Sequence, residues 1–90
     1  LLGVTLPSGP LALEPQALTA LAAHAESCGL DSIWVADHVV LPKTYSEAYP
    51  YTREEGVTLP ALYPFLDPLI TLAGAAARTS KILLCAGIYI

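Results

Sequence analysis

The chain has 90 residues, of which 54% are hydrophobic and 13% are charged, and its net charge is −4 at pH 7. Typical domains carry about 25% charged residues. A free domain this small has a large surface for its volume and would need at least that fraction, but this chain has about half of it. The composition therefore predicts a piece of a larger protein. Only four residues are Lys or Arg, which argues against nucleic-acid binding, since that requires a basic patch.

The chain ends and the cysteines give expectations about completeness and location. No Met is present, and the chain ends inside the apolar run from Ile82 to Ile90, so we expect truncation at both ends. No apolar run approaches the roughly 20 residues that span a bilayer, and no signal peptide is recognised. Cys28 and Cys85 are expected to be buried thiols in a reducing cytoplasm.

The first part of the chain predicts a strand followed by a helix. Residues 1–6 form an apolar run, which predicts a strand buried on both faces, and the breaker cluster at residues 7–10 closes it. A helix is predicted from Pro15, which suits the first helical position, to a left-handed cap at Gly29. His24 is predicted to be a solvated helix residue, and Glu26 also lies off the apolar stripe. The predicted stripe comprises Leu18, Leu21, Ala22, Ala25 and Cys28.

The second part predicts a strand, a long loop, a helix and a third strand. Residues 32–36 are apolar without alternation, as in parallel sheets covered on both faces. The next helix is predicted to begin at Asp67-Pro68 and to run to about Arg78, and residues 81–90 form the third strand. Its predicted apolar positions are Leu69, Leu72, Ala73 and Ala76. The order predicts an α/β fold with a parallel sheet.

The stretch from His38 to Leu66 is too long for an ordinary loop between a strand and a helix, which holds about 2–6 residues. It contains four prolines and five aromatic residues, whereas disordered segments have few aromatics. We therefore expect an ordered lid or pocket wall. Glu54-Glu55 is predicted to be a solvated loop tip rather than a catalytic pair.

Asp37-His38 is the strongest candidate for a functional pair, because it directly follows the second predicted strand. Ligands of parallel α/β sheets bind at the carboxyl ends of the strands, and a histidine exchanges protons near neutral pH. The alternative, left open by the residues alone, is that Asp37 caps the loop and His38 fills its base. No second His or Cys lies at ligand spacing, so no metal site is predicted. The glycine patterns of dinucleotide, Walker and serine-hydrolase sites are missing.

Several motifs, in this order and spacing, resemble the bacterial luciferase-like monooxygenase superfamily, and most closely its coenzyme F420-dependent oxidoreductases. The resemblance covers nearly all ninety residues. The motifs are the run Ile33–Pro42, then Tyr49-Pro50-Tyr51, Leu66-Asp67-Pro68-Leu69, Thr79-Ser80-Lys81-Ile82 and Ala86-Gly87-Ile88.

The resemblance implies a fold and a site. The fold is a TIM (β/α)8 barrel of about 250 residues or more. Residues 1–90 would be its N-terminal third, a β-α-β-loop-α-β portion with parallel strands. His38 would be the catalytic residue, close to the reacting carbon. A non-proline cis peptide bond is implied at Gly87–Ile88, where a bulge supports the cofactor ring. The residues implied to bind the cofactor are Asp37, His38, Ala86, Gly87 and Ile88.

The resemblance also implies an activity, namely hydride transfer between F420 and an unidentified small organic substrate. FMN is the alternative cofactor, in a monooxygenase of the same superfamily, and a catalytically silent α/β segment is the other alternative. The 90 residues alone are expected to be inactive. We expect a cytoplasmic protein with no nucleic-acid or membrane partner, and a homodimer is an open option. Some sugar-phosphate dehydrogenases of the family have Trp where this chain has Pro42, so their substrate is not carried over.

Overall fold

The computed structural model describes residues 1–7, 14–38 and 65–90. These residues form two helices and three strands in the predicted order. They are β1 (Gly3–Thr5), α1 (Pro15–Ser27), β2 (Ser32–Val35), α2 (Pro68–Ala76) and β3 (Leu83–Ala86). Of the predicted lid from His38 to Leu66, residues 39–64, with the Glu54-Glu55 pair, lie outside the described residues.

The three strands form one parallel sheet in the order β1-β2-β3, which confirms the predicted parallel α/β arrangement. The core is one cluster that joins Ile33 and Val35 of β2 to apolar residues of both helices. Because Ile33 and Val35 are two residues apart, they lie on the same face of the sheet, so α1 and α2 cover that one face. A sequential strand order with both helices on one side is the arrangement of a barrel wall, whereas a doubly wound sheet places helices on both sides.

The sheet therefore has a core face and an open face, and the prediction of strands buried on both sides was wrong. In β2, Ile33 and Val35 are almost fully buried, while Trp34 between them is 42% exposed. All three residues of β1 are exposed. The reason is that the described helices cover only one side. The register places six residues on the open face: Gly3, Thr5, Ser32, Trp34, Leu83 and Cys85.

Helix α1 begins and ends where the sequence predicted. Pro15 occupies the first turn, and Gly29, just beyond the helix, has a φ of +80°, a left-handed conformation that favours glycine. The predicted stripe is only partly right, because Leu18, Ala22 and Ala25 are buried while Leu21 and Cys28 are exposed. At about 100° per residue, Leu21 and Cys28 lie roughly 60° and 80° from Leu18, at the edge of the packed face.

Helix α2 has the predicted start but a different end and a different buried face. The side chain of Asp67 caps it by accepting a hydrogen bond from the backbone N–H of Ile70 at 2.9 Å. The helix ends at Ala76, so Arg78 lies beyond it, and the guanidinium of Arg78 donates to Thr19 Oγ1 of α1 at 3.5 Å. The helix buries Pro68 and Ala75, not the predicted apolar positions, of which Leu69, Ala73 and Ala76 are exposed and Leu72 is partly buried.

Strand β3 and the cysteines also differ from the predictions. The strand covers only four of the ten residues predicted for it, because the backbone leaves the ladder after Ala86. Both cysteines are free thiols, and Cys28 is exposed rather than buried, while Cys85 is partly exposed on the open face. Within the described ranges, neither helix has the length and apolar character needed to cross a membrane.

Candidate active site

The carboxyl ends of β2 and β3 meet at one edge of the sheet. The backbone N–H of Gly87 donates to the carbonyl oxygen of Val35 at 2.8 Å. The backbone N–H of Ile90 donates to Asp37 Oδ2 at 3.1 Å. These two hydrogen bonds hold the segment that follows β3 beside the segment that follows β2, and so bring Asp37 together with residues 87–90.

His38 contacts Phe65, which lies three residues before α2. Its imidazole packs against the ring of Phe65, with the ring centroids 4.3 Å apart and the planes tilted by 34°. The His38 side chain is nonetheless exposed, so its ring nitrogens remain accessible to a ligand or to water. No group of three or more potential metal ligands occurs among the residues that the structure describes. The arrangement suits proton exchange by His38.

Gly87 lies against the indole of Trp34 on the open face. A β-carbon at this glycine would lie 2.9 Å from Cε3 of Trp34 and 3.4 Å from Cζ3, so no larger residue fits without movement of the ring. Trp34 Nε1 donates to Ser32 Oγ at 3.0 Å, which orients the indole. The peptide bond between Gly87 and Ile88 is cis, as the resemblance implies.

The remaining predicted cofactor residues, Ala86 and Ile88, differ in their exposure. Ala86 pairs with Val35, and its side chain is partly buried against the core, so it can reach the open face only through its backbone. Ile88 follows the turn and is 76% exposed. Trp34 was not predicted as a site residue. Its position between two buried residues of β2 was the available signal, because strand side chains alternate between faces.

Glu26 is a second residue whose role was missed. Its Oε2 accepts hydrogen bonds from the backbone N–H groups of Ser80, Lys81 and Ile82, which precede β3. These bonds, of which the one from Ile82 has the largest effect, hold the pKa of Glu26 below its usual value against an opposing effect of burial. The partners lie 54 to 56 residues away in the chain, so no local pattern could have found them.

A parallel sheet in sequential strand order, with both described helices on one side, is the arrangement of an α/β protein of the barrel-forming class. The model of the luciferase-like monooxygenase family matches residues 2–90, and the chain belongs to this family. The family consists of oxidoreductases with a TIM barrel that generally use flavin or F420. No curated protein and no solved structure matches the chain.

Proposed function

We propose that the complete gene product is an oxidoreductase that transfers a hydride between coenzyme F420 and a small organic substrate. Residues 1–90 would be the N-terminal third of its barrel domain. The observation that carries this proposal is the hydrogen bond from the Ile90 N–H to Asp37 Oδ2. It holds Asp37 beside the segment that follows β3, at the edge of the sheet where barrel enzymes bind their ligands, and His38 is the next residue in the chain.

The residues at this edge fit a planar three-ring cofactor. Cofactor sites are mostly apolar with a few well-placed polar groups. Here Trp34 and Ile88 supply exposed apolar side chains beside Gly87, and Asp37 and His38 supply the polar groups. Bound there, the cofactor supplies the hydride chemistry, while the protein orients it.

Each residue has a distinct role in this proposal. The imidazole of His38 donates or accepts a proton at a ring nitrogen, because its side chain is exposed at this edge. Asp37 holds the turn after β3 through the N–H of Ile90. Gly87 lets the backbone after β3 pack closely against the indole of Trp34, and Ala86 contributes backbone only.

Cofactor identity is tested by titrating the complete gene product, freed of bound cofactor, with F420 and with FMN. We expect F420 to bind in the micromolar range or tighter and FMN to bind more weakly. Micromolar FMN binding without F420 binding would support the alternative FMN-dependent monooxygenase. Binding of neither would favour a catalytically silent segment.

A substitution at Gly87 tests whether the cofactor ring binds at the carboxyl edge of the sheet. Gly87→Ala should weaken F420 binding, because the added methyl group must displace Trp34 from the open face. Glu14→Ala is the control, since this exposed residue at the start of α1 makes no capping hydrogen bond with its side chain. Equal affinity for F420 in both variants would contradict the placement of the cofactor ring.

Four further expectations stay predictions. They are a small-molecule substrate, a cytoplasmic location, a homodimer and the inactivity of residues 1–90 alone.

A further inference from the structure

One carboxylate holds the amino end of β3. Glu26 Oε2 accepts hydrogen bonds from the N–H groups of Ser80 at 2.9 Å, Lys81 at 2.7 Å and Ile82 at 2.8 Å. The N–H of Ser80 also reaches Oε1 at 3.2 Å. Three successive N–H groups that converge on one point form a nest, which is an anion-binding backbone concavity. In this protein the nest has an internal ligand, the Glu26 side chain.

The nest joins two parts of the chain that are distant in sequence. Glu26 lies in the last turn of α1, and its own carbonyl oxygen accepts the N–H of Gly29 at 3.0 Å, where the chain turns toward β2. The next N–H after the nest, that of Leu83, donates to the carbonyl oxygen of Asp31 at 2.9 Å, just before the paired residues of β2. The carboxylate thus acts where the pairing of β2 with β3 begins.

The contact at the other end of β3 favours the observed register. Gly87 fits against the indole of Trp34 only because it has no β-carbon. A slip of one residue would bring Ala86 or Ile88 to this contact and would turn every β3 side chain to the opposite face. At about 3.3 Å per residue, the anchor at Ile82 lies roughly 17 Å along the strand from Gly87, with only the short β3 between them.

We propose that Glu26 is a positioning residue for the cofactor site. By filling the nest of residues 80–82 it fixes the register of β3, which holds Gly87 against Trp34 and presents the turn at Ile88 to the cofactor. Glu26 acts from the opposite end of the strand and does not touch the cofactor. The link to the cofactor rests on the proposed function, whereas the anchoring of β3 does not.

The test compares Glu26→Ala with Glu14→Ala in the complete gene product. Both variants remove a carboxylate from the start or end of α1, but Glu14 makes no capping hydrogen bond with its side chain. The measurements are the dissociation constants for F420 and FMN and the amide hydrogen exchange of residues 83–88. We expect Glu26→Ala to weaken cofactor binding by about tenfold or more and to speed exchange in β3, and Glu14→Ala to change neither.

Chemical rescue separates a positioning role from a loss of stability alone. Formate is a small carboxylate that can enter the vacated nest, so it should restore both the slow exchange and the cofactor affinity of Glu26→Ala. Formamide, which has the same shape and no charge, should restore neither. If Glu26→Ala does not fold, Glu26→Gln, which keeps one acceptor oxygen and loses the charge, replaces it in the comparison of cofactor affinity and hydrogen exchange, without the formate rescue.

The outcomes are distinct. A folded Glu26 variant with unchanged cofactor affinity and unchanged exchange of residues 83–88 would overturn the proposal. If the wild-type protein binds neither cofactor, the proposed function is wrong. Hydrogen exchange alone then tests whether Glu26 anchors β3. Slower amide exchange of β3 in Glu26→Ala on addition of formate would then support anchoring by Glu26. Exchange of residues 83–88 in Glu26→Ala equal to that in wild type would overturn it.

Discussion

At the scale of single residues, the site depends on contacts that each involve a few atoms. His38 is exposed and packs on Phe65, and Asp37 accepts a hydrogen bond from the backbone of Ile90. Among the described residues, Asp37 accepts this hydrogen bond from the segment after β3, and the choice between the two interpretations that the sequence left open for this pair stays a prediction. The hydrogen bond joins the segments that follow β2 and β3, and proton transfer by His38 stays a prediction.

Replacement of His38 tests that assignment. His38→Ala should lower the turnover of the complete gene product by about 10²–10⁴-fold, because general acid–base catalysis contributes that much, and should change cofactor affinity much less. The measurement is kcat beside the cofactor dissociation constant. His24→Ala is the matched control, since His24 is an exposed residue on α1. Near wild-type turnover in His38→Ala would make it a packing residue.

The carboxylate of Glu26 gives a pH dependence of known direction. The hydrogen bonds from Ile82, Lys81 and Ser80 lower its pKa in the folded protein, so the ionised form stabilises the fold. This contribution is complete above the ordinary pKa of about 4.5 and is lost as the pH falls through the lowered value. Asp31 and Lys81 line the same surface depression as Glu26.

We therefore expect Glu26→Gln to be less stable than wild type at pH 7, with a difference that shrinks as the pH falls below about 4.5. Urea unfolding of both proteins across this range measures the difference. Glu14→Gln serves as the control, because its side chain makes no capping hydrogen bond. A difference between Glu26→Gln and wild type that did not depend on pH would contradict the assigned role of the charge.

At the scale of the elements, the helix ends follow local rules and the packed faces do not. Pro15 and Asp67-Pro68 begin the two helices as predicted, and Gly29 has the predicted left-handed conformation. Each of these features depends on residues within one turn. The buried side of α2, in contrast, is set by its contacts with α1 and β3, and the apolar pattern of its own sequence did not identify it.

The cap of α2 offers a test at this scale. Asp67→Ala should destabilise the protein by about 1 kcal/mol, because the N–H of Ile70 loses its side-chain acceptor. Asp67→Ser should retain most of the stability, since serine is also a good cap. Thermal unfolding of the two variants measures this, and equal losses would show that the capping hydrogen bond is not the cause.

At the scale of the whole molecule, the open face is the dominant feature. The described residues leave Trp34 and Leu83 exposed on that face, and the chain continues after β3 with the exposed apolar residues Ile88, Tyr89 and Ile90. Exposed contiguous apolar surface on a protein favours association. The strands β1 and β3 are also edges of the sheet within the described part of the chain, and unpaired edges promote further association.

Residues 1–90 produced alone should therefore associate, aggregate or melt without cooperativity. Sedimentation velocity and calorimetry measure these two properties. Because β3 is an edge strand, Leu83→Lys on the open face should reduce the association. A monomer with a sharp two-state transition would contradict the prediction that this chain needs further structure to cover its open face.

The sequence by itself determined the order of elements, the parallel sheet, both helix starts and the family, because caps, breakers and motif spacing are local properties. Only the tertiary structure decided which faces are buried. Leu21 and Cys28 are exposed, and Trp34 lies on the open face beside Gly87, because packing depends on where neighbouring elements lie. The contact of Glu26 with residues 80–82 joins positions more than fifty residues apart, so it exists only once the chain has folded.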